Sequence, residues 1–305
     1  MTFFAALARQ ARRTALAGLA ALGFAALGLA ATPAMAQPAM WAVKDADSTI
    51  YFLGTVHLLK PETEWRTEKL GAAIAEAAEL WLELPTTDPQ KMAGEMMGLV
   101  SRYGLSPTRR LSKDLTPEEM QTLDEAARLS GLTGAQLDMF RPWFAAITIS
   151  TSAMTHAGYD PTSGVDSRIE SIFGERGIAP RGLETAEQQI RVFAGMPREA
   201  ELDYLRQTIK DYREAPTQLD EMVVNWASGD IAAMEEMFVT EMKAEDAALY
   251  DALLTNRNAN WVVKIEEMLK GSGTIFIAVG AGHLIGPDSM IAMLDARGIK
   301  AERVQ

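Results

Sequence analysis

The 305-residue chain contains no cysteine. That excludes disulfides, a cysteine nucleophile, a thiolate zinc site and an iron–sulfur cluster. Any bound metal must then be held by His, Asp, Glu or main-chain oxygen, and histidine is itself scarce, with three in the whole chain. Basic residues are outnumbered, 29 Lys and Arg against 41 Asp and Glu, for a net charge of −12. A surface of that sign argues against a nucleic-acid or anionic-membrane partner. There is no GxSxG nucleophile motif, which argues against a serine hydrolase. There is no HExxH either, so a metal site would have to gather its ligands from distant segments.

The first 36 residues read as a secretory leader. Arg9, Arg12 and Arg13 form a positive region, Ala15 to Ala31 is an uncharged run of Ala, Leu, Gly and Phe, and Ala34-Met35-Ala36 fits a small-x-small cleavage site before Gln37. Removing the three arginines takes the net charge from −12 to −15. The expected location is the periplasm or the exterior, the alternative being an uncleaved N-terminal anchor. No other stretch is long and apolar enough to span a bilayer. Residues 37–305 are read as a single domain, large enough for a substantial core.

Along the chain, Trp41 to Val43 and Thr49 to Leu53 read as strands joined by an Asp- and Ser-containing turn. A helix is expected from about Glu64 to Ala78, then a strand over Leu80 to Pro85. Glu83 is out of character there: an apolar strand carrying one carboxylate is either an edge strand or a place where that carboxylate is paired. Thr116-Pro117-Glu118-Glu119 is a helix start with a capping box, and its helix ends at Gly131. Another helix begins at Arg141-Pro142 and reaches His156, whose place at a helix end is ordinary. Asp166 reads as a helix N-cap or dipole partner, and Glu184 ends a short strand candidate, Ile178 to Leu183. Residues 197 to 270 read as helix with breaks at Ala215-Pro216, Ser228 to Asp230 and Asn256 to Asn258. Arg257 is there a surface ion pair or a fixed guanidinium able to hold a carboxylate or an oxyanion. Strands Thr274 to Val279 and Ile299 to Val304 flank a helix over Asp288 to Ala296 opened by Pro287. The fold class is α/β, a central mixed sheet built from both ends and the middle of the chain, with large helical insertions at about 88–160 and 185–270.

One pattern occurs twice. Tyr51-Phe52-Leu53-Gly54-Thr55-Val56-His57 and Ile275-Phe276-Ile277-Ala278-Val279-Gly280-Ala281-Gly282-His283 are each an apolar strand, a glycine, two residues and a histidine, about 225 residues apart. Open α/β sheets put ligand sites at strand C-terminal ends, so the recurrence suggests two half-sites in one sheet. Two imidazoles with one or two carboxylates suit a divalent transition metal with an open water position.

Gly54-Thr55-Val56-His57 and Gly280-Ala281-Gly282-His283, with Gly164-Val165-Asp166, Gly182-Leu183-Glu184-Thr185 and Arg257-Asn258 followed by Trp261, resemble the TraB/PrgY/GumN family, related to the Tiki metalloproteases. The resemblance covers nearly all of residues 37–305 and implies metal-dependent hydrolysis, of a peptide or a small molecule, with manganese, cobalt or zinc. It moves Glu83 into the site and places Asp166 and Glu184 near it. The site expected from residues and resemblance together has His57, His283 and Asp166 on the metal. Glu83, Glu184 and Arg257 supply the chemistry, and Gly54, Gly280, Gly282 and Asn258 shape binding. Two other readings stand beside it: a non-catalytic periplasmic ligand- or haem-binding protein, and a metal-free His/Glu esterase.

Overall fold

The computed structural model describes residues 36–85 and 89–305. The expected leader lies outside the described residues except for Ala36. Six strands form one mixed sheet: Met40–Lys44 (β1), Ser48–Thr55 (β2), Glu79–Leu82 (β3), Arg181–Gly182 (β4), Gly273–Gly280 (β5) and Ala301–Arg303 (β6), in the order β4-β3-β5-β2-β1-β6. β1 pairs antiparallel with β2 and β6, through a turn in which Asp45 accepts the Ser48 N–H. The pairs β2–β5, β5–β3 and β3–β4 are parallel, so four strands point their C-terminal ends the same way. Both ends of the chain and its middle contribute, as the apolar runs predict.

The central strand is continuous apolar sequence because both of its faces are covered: Phe276, Ile277, Ala278 and Val279 are all fully buried. Phe52, Phe173, Trp65 and Trp261 belong to the same core. A second apolar core, with Leu123, Trp143, Ile149 and Leu205, lies among helices Pro117–Ala127, Pro142–His156 and Arg198–Asp211. These belong to the helical insertions, which reach from Pro89 to His156 and again from Ala186 to Met268. The Thr116 capping box forms as its sequence dictates. Gly131 ends a single 3₁₀ turn in a left-handed conformation, φ 66°. Among the described residues no helix is long and apolar enough to cross a membrane.

The strands expected over Leu80 to Pro85 and Ile178 to Leu183 shorten to Glu79–Leu82 and Arg181–Gly182, and three further differences have local causes. The first helix starts at Glu68, because Thr67 caps it by accepting the Leu70 N–H. The helix after Pro287 starts at Met290, because Ser289 is its cap and Asp288 is occupied elsewhere, by Lys243, Tyr250 and Asn258. No break occurs at Asn256 to Asn258: a π-helical turn, Asp251–Thr255, runs straight into the helix Asn256–Met268. Such wide turns are rare, occur mostly inside α-helices and are frequent at functional sites.

Two substitutions test the core assignment with opposite signs. Phe276→Ala should lose about 3–5 kcal/mol in urea unfolding, since a fully buried aromatic leaves a cavity. Gly71→Ala, inside the helix Glu68–Glu76 with nothing within 4 Å of the new methyl, should gain about 0.5–1 kcal/mol.

Candidate active site at the ends of four parallel strands

Each of the four parallel strands delivers one residue to the same place. His57 stands two residues past β2, Glu83 directly follows β3, Glu184 lies two past β4, and His283 lies three past β5. Glu83 is thereby in an interior strand, between β4 and β5, and the edge-strand alternative falls away. Thr55 pairs with Gly280, so the two glycine-x-x-histidine segments leave neighbouring strands one residue out of step.

His57 is held from behind. Its Nδ1–H donates to Asp166 Oδ2 at 2.7 Å, and Asp166 Oδ1 accepts the Thr55 hydroxyl at 2.8 Å. Asp166 is in the first turn of the helix Val165–Glu175, not its N-cap; Gly164 takes that position. A Cβ at Gly164 would overlap the His57 carbonyl, so glycine is what lets the helix start this close. The outer edge of the His57 ring faces solvent, with the side chain 61% exposed.

His283 is the opposite case, 4% exposed. Its Nδ1 lies 2.6 Å from Asn258 Oδ1, and Arg257 Nη1 lies 3.0 Å from its Nε2. Arginine only donates, so Nε2 must be the acceptor and Nδ1 must carry the hydrogen. Asn258 is fixed in turn by donating to the Asp288 carbonyl at 2.8 Å. The Trp261 ring lies 4.5 Å from the imidazole and 4.6 Å from the Arg257 guanidinium, centre to centre.

Arg257 binds both carboxylates. Its Nη2 reaches Glu83 Oε2 at 2.5 Å, while Nε and Nη2 make a bidentate pair with Glu184 at 3.0 and 2.5 Å. The other Glu83 oxygen accepts the Gly280 N–H at 2.7 Å and lies 3.9 Å from His57 Nε2 and 3.6 Å from His283 Nε2. A Cβ on Gly280 would fall 3.1 Å from Glu83 Oε1, 3.4 Å from His57 Nε2 and 3.6 Å from His283 Cδ2. Gly280 therefore leaves open a small cradle bounded by all three side chains.

Electrostatics divides the groups. The Asp166 carboxylate, against the pull of desolvation, raises the His57 imidazole to about 9. Burial pushes His283 down to about 3, so it is neutral at ordinary pH. Burial by itself would raise Glu83, but His283, Arg257, His57 and the Gly280 N–H outweigh it and hold Glu83 well below the usual carboxylate range. Of these, Arg257 is the one that stays charged throughout the pH range. Burial raises Glu184 in spite of Arg257.

The sequence profile of the TraB/PrgY/gumN family matches residues 39–303. The chain belongs to that family. It is similar to a protein of Treponema pallidum (strain Nichols), described as uncharacterized, with 23% identity over 274 residues, 84% of this chain and 80% of that one. No solved structure matches it.

Of the residues singled out in this family member, His57, Glu83, Asp166, Glu184, Arg257, Asn258, Gly280 and His283 come together. Gly54 and Gly282 do not line the cradle. A Cβ at Gly54 would press on Ala281, and one at Gly282 on Phe238, so both serve close packing. Asp166 and Asn258 grip Nδ1 atoms, which leaves each histidine's Nε2 as the edge turned toward Glu83. Thr55 and Trp261 belong to the same motifs, but the sequence alone gives them no role. Gln189, which donates to Glu184 at 3.2 Å, carried no signal in the sequence.

The His57–Asp166 contact sets a measurable titration. By NMR, His57 should titrate near pH 9, and Asp166→Asn should bring it down toward 6.5. The folded value is raised, so the stabilisation from this pair is complete below about pH 6.5 and fades as pH rises through about 9.

Proposed function

We propose that this protein is an exported, metal-dependent hydrolase of peptides, with His57, His283 and Glu83 as the residues that would hold the metal. The cradle at Gly280 carries the reading: two imidazole edges and one carboxylate oxygen border one space. Among the described residues, no group of three or more His, Asp or Glu side chains stands ready as placed to hold a metal ion. The donor set nonetheless fits in kind. Glu83 Oε1 is 3.6 and 3.9 Å from the two Nε2 atoms. Imidazole nitrogen and carboxylate oxygen are the donors that such an ion would take from these three side chains. Arg257 would have to release His283 Nε2, and His57, raised to about 9 by Asp166, would have to give up its Nε2 proton.

A divalent ion of the manganese, cobalt or zinc kind supplies, when bound, Lewis acidity toward water and a carbonyl oxygen. The protein's own groups divide the remaining work. Asp166 and Asn258 orient the imidazoles and fix their tautomers. Glu83, held ionised, suits a ligand better than a base. Glu184, whose pKa burial raises in spite of Arg257, is the better suited of the two carboxylates to take up a proton. Arg257, anchored on two carboxylates and stacked on Trp261, offers a preorganised cation for a developing oxyanion. Export rests on the leader, with Arg9, Arg12 and Arg13 ahead of an apolar run and Ala34-Met35-Ala36 before Gln37.

One observation favours a second reading, a metal-free hydrolase: Arg257 already occupies the His283 lone pair. In that reading His57 with Asp166 exchanges protons and Arg257 steadies negative charge. Metal content by mass spectrometry after incubation with manganese, cobalt and zinc separates the two. The leading account expects about one equivalent in the wild type, lost in His57→Ala and His283→Ala, and hydrolysis of a peptide library that stops on chelation. Hydrolysis that survives complete chelation supports the second reading and sinks the first.

A further inference from the structure

A groove of about 480 Å³ opens on the far side of the Arg257–Glu184 pair. One wall is the helix Asn256–Met268, which presents Asn256, Asn260 and Lys264, spaced four residues apart, as a single stripe. The opposite wall is the helix Ala186–Ala194, which presents Gln188 and Arg191, while Gly195 and Ala252 are small enough to leave the space open.

Cations and side-chain amides make up most of the polar lining, beside an apolar part formed by Leu183, Val192 and Trp261. Arg191, Arg257 and Lys264 face it; Glu184 is the one acid in the lining and is bound to Arg257, while Arg191 is paired through its Nε and Nη2 with Glu187 and Tyr103. The Lys264 ammonium spends a single hydrogen on the Leu183 carbonyl at 2.5 Å rather than on a carboxylate. An ammonium has two more to give. In a chain of net charge −12, with acids outnumbering bases 41 to 29, a donor-lined, acid-poor groove runs against the composition. It also lies one residue pair from the candidate active site, since Arg257 contacts the groove and also Glu83 and His283.

We propose that this groove is a carboxylate subsite, which seats the C-terminal carboxylate of a peptide between Lys264, Asn260 and Arg191. The word substrate for that peptide rests on the hydrolase reading; the binding itself does not. The terminal carboxylate of a short peptide takes up the two remaining Lys264 hydrogens, with the Asn260 amide and Arg191 Nη1 beside them. A second groove, whose lining includes Pro85, Met92, Gly182 and Thr185, shares Glu184 with the first.

The experiment uses the full-length purified protein and two pools of N-acetylated tripeptides, free acids and the matching C-terminal amides, with binding followed by NMR. The free acids should shift the side-chain amides of Asn256 and Asn260, bind about tenfold tighter than the amides, and lose that preference in Lys264→Gln. Lys264 is exposed, so the variant keeps the fold, which a matched urea midpoint checks. Retained binding confined to amides that contain Asp or Glu assigns the carboxylate to a side chain and overturns the terminal assignment. Equal binding of acids and acid-free amides, or shifts elsewhere than the groove, overturns the subsite. Failure of the hydrolase reading looks different: no turnover, with the acid-over-amide preference intact.

Discussion

β2 and β5 pair in parallel over eight positions, from Ser48 with Gly273 to Thr55 with Gly280. That ladder is what brings two histidines together across about 225 residues of sequence. Both strands are buried over most of their length, and the eight paired positions fix which residues leave the sheet side by side. Because β3 and β4 run the same way, Glu83 and Glu184 arrive at the same edge. Helical segments then act on this edge from outside. The second insertion lends Arg257, Asn258 and Trp261 to His283 and the two glutamates, and the helix Val165–Glu175, which lies between the insertions, lends Asp166 to His57.

The buried charges make sense only as a group. Glu83 and Glu184 are each less than a tenth exposed, and two carboxylates so placed would repel each other without the guanidinium between them. Arg257 in turn is kept in place by the Leu253 carbonyl and the Trp261 face, both on its own helix or the turn that precedes it. The wide turn at Asp251–Thr255 is therefore part of the site's construction, since it continues without interruption into the residues that aim Arg257. The two histidines differ for the same local reasons: His57 has a carboxylate partner and solvent, whereas His283 has an amide partner, a neighbouring cation and no solvent.

Much of this was legible before the fold was known, because the sheet is written in apolar runs that end in glycine. The recurrence at Gly54 to His57 and Gly280 to His283 located two corners of the site, and Glu83 stood out because charge in such a run needs a partner. What the sequence could not show is contact between segments. Asp166 looks like a cap from its neighbours and becomes a histidine partner only when the helix Val165–Glu175 docks on Val56. Asn256 to Asn258 look like a break because asparagines are poor helix formers, yet packing against β5 and its following loop overrides that preference. Gly54 and Gly282 share the motif with Gly280, but only Gly280 borders the cradle, a distinction set by strand register alone.

The central claim is that the Nε2 edges of His57 and His283 serve one metal. X-ray absorption at the cobalt edge, on the full chain loaded with cobalt(II), tests it most directly. The account predicts scattering from two imidazole rings with carboxylate oxygen beside them, falling to one ring in either histidine variant. A spectrum of oxygen ligands alone, or one unchanged by both substitutions, would contradict it.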